Sequence, residues 1–241
     1  MLDITGAIFA TALYVTVVGV LIGLAPVRAA TKLAAFAFAA AWLAFIVAFA
    51  GIFDLAELRL GPMPVNLMPF VALVALLFGG WFLVPQFRSA LLSLPLSALV
   101  ALNMGRVAGI YFVLLYAQGR MSAPFAPSAG WGDVITGLAA IPLLLMMRGN
   151  TDRPAVLPIA LWNAFGTLDL IVAISLGIVS APGTLFRIFT EGPGTLAMTH
   201  LPWIMIPTML VPIYLLIHLT VATKLRALSA ATSNTQQHAR A

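Results

Sequence analysis

The sequence predicts an all-α, polytopic integral membrane protein with seven transmembrane helices, N-terminus outside and C-terminus in the cytoplasm. Three observations carry that expectation. The 241 residues are 62% hydrophobic and 8% charged, against roughly 45–50% and about 25% in soluble domains. The apolar residues fall in continuous runs that approach or exceed the ~20 residues a helix needs to cross a bilayer. The charges sit at the ends of those runs, with Arg106 and Asp169 as the exceptions. A soluble fold could not cover so much apolar surface, and continuous rather than alternating runs argue against a closed barrel.

The predicted spans are 4–25, 33–53, 65–85, 92–118, 132–147, 155–178 and 201–222. Asp3 precedes the first run and Arg28 and Lys32 follow it, the reverse of a secretory signal, so it reads as an uncleaved helix. The fourth run is too long for a straight crossing, and Pro95 should separate a short interfacial turn from the helix proper. The fifth is short, about 16 residues or roughly 24 Å. The uncharged loop before it, Met121 to Trp131, has three small-residue or proline breaks and reads either as dipping inward as a cap or as an ordinary apolar loop. The connection 179–199 reads either as a half-turn or short helix on the interface or as an ordinary apolar loop. Residues 1–228 form one transmembrane domain, and 229–241 read as a polar, disordered cytoplasmic tail. No internal repeat is credited.

Orientation follows from the basic residues. Arg28, Lys32, Arg88, Arg148, Arg153, Lys224, Arg226 and Arg240 lie on the side of the C-terminus, and Arg59, Arg120 and Arg187 on the other. The net charge of +5 is therefore topological. Without a basic cluster interleaved with aromatics it implies a lipid bilayer as partner and no nucleic acid.

No cofactor or metal is expected. The absence of cysteine removes thiolate chemistry, and three histidines are too few for most metal sites. His200 and His218, about 27 Å apart along one helix, cannot share a haem iron. Neither lysine lies mid-membrane for a retinal Schiff base. His218 itself reads as a helix-end cation. A serine hydrolase would rest on Ser175 without an activating motif.

Arg106 carries the most information. A guanidinium at bilayer depth costs several kcal/mol unless it finds a partner inside the bundle, and so marks a functional site by default. Asp169 is its best partner: both lie roughly 14–18 Å below the outer ends of their spans. Asn103 shares the face of Arg106, and Asn163 lies in a neighbouring sector of the Asp169 helix. Gly105 and Gly109, and Gly166, Ala173 and Gly177, permit close helix approach. Asp133 has two open readings, an N-cap of the fifth span or a member of the Arg106 site. Trp42 and Trp162 could pack in the core or stack on a ligand, while Trp131 and Trp203 read as outer interface anchors. The ligand-binding candidates are thus Arg106, Asp169, Asn163, Asn103, Asp133 and Trp162, with no catalytic residue assigned.

Gly130-Trp131-Gly132-Asp133 also resembles the GxGD element of intramembrane aspartyl proteases, with Asp169 as second acid. The chain departs from that pattern in the order of the two aspartates, in lacking the proline-alanine-leucine element, and in placing Arg106 beside the acids.

A broader resemblance covers about residues 100–220. Arg106-Val-Ala-Gly109-Ile-Tyr-Phe112, Gly119, Pro124-Phe125-Ala126, Ala129-Gly130-Trp131-Gly132-Asp133 with Gly137, and Trp162-Asn163-Ala-Phe-Gly166-Thr-Leu-Asp169-Leu170 are similar to a family of uncharacterised bacterial polytopic membrane proteins. The resemblance implies a seven-helix bacterial inner-membrane protein and no particular activity. The leading expectation is a buried polar site in the outer half of the bundle that binds or transports a small molecule, anion, ion or proton. The alternatives are a non-catalytic subunit of a membrane complex and an intramembrane aspartyl-type hydrolase.

Overall fold

The computed structural model describes residues 1–55, 59–60, 63–64, 67–149 and 156–238. Arg153 and Arg240, both counted in the charge bias, lie outside them. Helices α1 (Leu2–Leu24) and α2 (Ala29–Ile52) form a hairpin closed by residues 25–28. Only one stripe of α1 is buried, Gly6, Ala10, Tyr14 and Val17, at the spacing of a single helical face. Tyr14 Oη donates to the Ala39 carbonyl at 2.9 Å and ties the pair together. In the connection that follows, β1 (Arg59–Leu60) and β2 (Met63–Pro64) pair antiparallel.

Helix α3 (Leu67–Leu83) ends where Val84 turns extended before Pro85, and α4 (Pro85–Leu92) leaves at 93°. Proline is suited to a first helical position and disfavours helix in the residue before it. Lys224 donates to the Leu92 carbonyl at 2.6 Å, a cation on a helix C-terminus. The next span is one rod of three pieces: α5 (Leu96–Leu102), a 3-10 stretch Asn103–Gly109, and α6 (Ile110–Ala117). Helices α7 (Phe125–Gly149) and α8 (Val156–Val179) follow. After a 3-10 turn at Leu196–Thr199, a π turn at Ile206–Leu210 leads into α9 (Val211–His238). By length and composition the described residues hold six membrane-length apolar helices, or seven if the bent α3–α4 pair is one span. Such a set of long apolar helices marks a multi-pass membrane protein. The span entering α9 is the most buried and α2 the least.

Several expectations are corrected. The fifth span is not short, because α7 starts at Phe125 and runs for 25 residues. The prolines of Met121 to Trp131 were read as breaks, but Pro127 falls in the first turn, where backbone N–H groups have no helical acceptor anyway. The loop shrinks to 118–124 and does not dip as a long cap. Ser122 is pinned to Gly194 by backbone and side-chain hydrogen bonds. Pro95 does separate the helix proper from what precedes it, and the preceding piece is α4. The segment around Arg187 is an irregular loop, with that guanidinium donating to the carbonyls of Phe189, Thr190 and Gly192. Helix α9 runs on through His238, into the segment read as a tail. Trp131 is half exposed, whereas Trp203 is buried and donates to Asp3 Oδ1 at 2.7 Å. It is not an interface anchor, because Gly6 opens a slot for its ring.

That slot gives a test within a single helix. A Cβ at Gly6 would lie 2.5 Å from the Trp203 ring, whereas at Gly19 it would meet nothing within 4 Å. Gly6→Ala should lower stability by about 1–3 kcal/mol through overpacking. Gly19→Ala should be neutral or stabilising, by up to about 1 kcal/mol. Unfolding midpoints in detergent check both, and equal effects would place the α1–Trp203 contact wrongly.

Candidate functional site

Arg106 lies near the middle of the α5–α6 span, 2% exposed. A 3-10 turn eclipses residues three apart, so Asn103, Arg106 and Gly109 fall on one line, and all three are buried. The guanidinium gathers three other helices. Nε donates to Asp133 Oδ1 of α7 at 2.6 Å and Nη2 to Asp169 Oδ2 of α8 at 2.5 Å. Nη1 donates to the Gly166 carbonyl at 3.1 Å and to His218 Nε2 of α9 at 2.9 Å. These bonds engage four of the five N–H donors. The ring of Tyr214, one turn before His218, lies 5.9 Å from Cζ, within cation–π range.

Because arginine only donates, His218 Nε2 must be the acceptor. The ring therefore carries its proton on Nδ1 and donates to Asn163 Oδ1 at 2.9 Å. The Asn163 amide in turn donates to the His218 carbonyl at 3.2 Å. His218 is a neutral second-rank partner that fixes the guanidinium, not a helix-end cation.

The glycines around the acids are seats for them. A Cβ at Gly132 would fall within 1.7 Å of Asp169 Oδ1, and one at Gly109 within 2.3 Å of Asp133 Cβ. At Gly166 it would meet His218 Cε1 at 2.6 Å. Gly130-Trp131-Gly132-Asp133 is thus a packing surface two turns into α7, and Asp133 is an ion-pair partner, not an N-cap.

Arg106, Asp133 and Asp169 are therefore in direct contact, and Asn163 is one step removed through His218. Asn103 makes no hydrogen bond to Arg106: its Nδ2 donates to the Leu99 carbonyl at 3.0 Å, and its buried Oδ1 has no hydrogen-bond partner among the described residues. Trp162 packs against the His218 ring at 5.5 Å and donates to the Thr136 carbonyl at 2.9 Å, a core role. Sequence reasoning missed His218 and Tyr214. Taking the last span as 201–222 put His218 near its end; with the helix running from Ile206 to Ala230 it lies at the depth of Arg106.

Two cavities adjoin the cluster. The larger, about 360 Å³, lies among the start of α3, α6, α7, the second half of α8, the 181–198 loop and the π turn. Its walls include Phe70, Phe112, Phe125, Leu170, Ile174 and Met198, and Asp133 is the only charged residue among the described residues lining it. Asp133 keeps 17% of its side chain exposed, and its Oδ2 takes no hydrogen bond from the described residues. The smaller cavity, about 40 Å³, touches Arg106, Asp133 and Tyr214, with room for about one water molecule. Among the described residues no group of three His, Cys, Asp or Glu is placed to hold a metal ion.

The site defines a class: a helical multi-pass membrane protein with an arginine-centred ion cluster beside an apolar cavity. The chain belongs to the family described as Domain of unknown function (DUF8737), whose model matches residues 62–226. No curated protein and no solved structure matches it. The matched region holds every residue of the cluster and leaves out α1 and α2.

Charge counting orders the variants. With both aspartates ionised and His218 neutral, the cluster carries one negative charge in excess. Arg106→Ala strands two carboxylates and should cost at least the roughly 3–5 kcal/mol of a broken buried pair. Asp133→Asn or Asp169→Asn leaves one matched pair and should cost far less. Thermal unfolding of the three variants checks the ranking. An Asp→Asn variant that falls as far as Arg106→Ala would remove the shared role of the arginine.

Proposed function

We propose that the protein is a small-molecule binding or transport protein whose site is the 360 Å³ cavity, with Asp133 as the group facing the ligand and Arg106 holding that carboxylate in place. The observation that carries this is the pairing of a large apolar cavity with one partly buried, incompletely hydrogen-bonded carboxylate. Ligand sites are largely apolar, with few placed polar groups. Ionisable residues at membrane depth mark substrate or proton paths. Arg106 faces inward to Asp169, Gly166 and His218, so an anionic ligand bound directly by it has less support than a partner for Asp133. Asp169, Asn163, Asn103 and Trp162 then support the site from behind.

The setting we propose is a bacterial cytoplasmic membrane crossed seven times, with the bent α3–α4 pair as the third crossing and the N-terminus outside. The excess of basic residues at the end of the bundle holding Arg28, Arg88 and Lys224 supports this orientation. A reporter after Ala241 should be active in the cytoplasm and one near Gly192 outside. Both on one side would overturn the seven-crossing count.

A second reading, a non-catalytic subunit whose cluster only locks the helices, is favoured by the near-complete use of the Arg106 donors. A hydrolytic pair has less support, since a dyad shares a proton between acids and here Arg106 holds each one. Native mass spectrometry from detergent separates binding from scaffolding. The wild type should retain a small molecule that Ala173→Phe, which fills the cavity from α8, does not. Bare masses for both would favour the subunit.

A further inference from the structure

We infer that the ligand is an amphiphilic organic cation, an amine with an apolar body, entering sideways from the lipid between the start of α3 and the second half of α8. The inference rests on the proposed binding role of the cavity and names what fills it. The cavity has the wrong chemistry for an anion. Its lining offers one charged group, Asp133, an acceptor whose Oδ2 is free of hydrogen bonds from the described residues. A carboxylate accepts and does not donate, so the ligand head must bring the donor. The nearest positive charge, on Arg106, is already engaged by Asp133 Oδ1, Asp169, the Gly166 carbonyl and His218.

Charge points the same way. One guanidinium faces two aspartates, so with both ionised a negative unit is left inside an apolar bundle, which is costly. An ammonium group at Asp133 closes that balance without displacing Arg106. The ~40 Å³ void beside Asp133 and Tyr214 has room for a water that bridges a head group to the cluster.

The rest of the cavity calls for an apolar body. Phe70, Phe112, Phe125, Ile174 and Met198 surround the space above Asp133, with Thr184 and Thr195 the polar exceptions. Leu67 and Phe70 stand on one side and Ala173, Ile174 and Ile178 on the other. α3 packs on the π turn and α9, and α8 on α7 and α9. We place the route of entry between α3 and α8, whose described residues both line the cavity, as suits a molecule already dissolved in the membrane.

The test uses three probes of equal chain length, n-octylamine, octan-1-ol and octanoate, with the full-length protein in lipid nanodiscs near neutral pH. Binding is read as saturable protection against thermal unfolding, in the wild type, Asp133→Asn and Ala173→Phe. Octylamine should bind the wild type about tenfold or more tightly than octan-1-ol, the scale of a charge-assisted over a neutral hydrogen bond. Asp133→Asn, which leaves a matched Arg106–Asp169 pair, should erase that preference while octan-1-ol still binds. Ala173→Phe should abolish both. Octanoate binding best, or an amine preference surviving Asp133→Asn, would overturn the cation assignment and leave the cavity reading standing. Saturable protection by none of the three in the wild type, or protection unchanged in Ala173→Phe, would overturn the cavity reading with it.

Discussion

One guanidinium sets the terms on which this bundle packs. Arg106 cannot lose its charge and is almost wholly buried, so the helices around it must supply its acceptors. They do so from three directions: Asp133 on α7, Asp169 and the Gly166 carbonyl on α8, and His218 on α9. Each acceptor needs its helix close. Gly109, Gly132 and Gly166 make that closeness available, each contacting a partner where a Cβ would collide. The small residues and the charge are one design: close approach brings the acceptors within reach, and the ion pairs fix which approach is chosen. Replacing such a cluster with apolar residues is often neutral for stability, so what the cluster fixes is the choice of packing more than its strength.

The irregular backbone near the cluster is satisfied in a consistent way. A 3-10 stretch holds Arg106, and a π turn precedes α9. Both disturb the ordinary helical hydrogen-bond ladder at a depth where an unpaired carbonyl costs several kcal/mol. Aromatic donors cover the gaps. Tyr214 Oη donates to the Leu102 carbonyl just before the 3-10 stretch, and Trp42 Nε1 to the Thr208 carbonyl within the π turn, each at 3.2 Å. π turns are frequent at functional sites, and Ile206 of this one lines both cavities.

The legible part of the chain was the part that hydropathy governs. Runs of apolar residues gave the membrane-length helices, and a charge stranded in such a run gave Arg106 and Asp169. What stayed hidden depends on three-dimensional context. Pro124 and Pro127 look like loop breakers, yet Pro127 sits in the first turn of α7, and with that start Asp133 moves from a helix end to the interior. The polar residues after Ala222 put His218 near a helix end in the sequence, whereas the helix continues to His238. Asn103 was grouped with Arg106 by spacing, and the 3-10 geometry keeps it on that line, but its amide turns back to Leu99. The cavity had no local signature: its walls come from α3, α6, α7, α8, a loop and the π turn.

The central claim is that Arg106 supplies the one positive charge that Asp133 and Asp169 share. Comparing Arg106→Gln alone with the triple variant Arg106→Gln, Asp133→Asn, Asp169→Asn by thermal unfolding tests it most directly. If the loss in the single variant comes from stranded carboxylates, neutralising them should restore most of the wild-type stability, since the effects of contacting residues are strongly non-additive. A triple variant as unstable as Arg106→Gln, or less stable, would contradict the account.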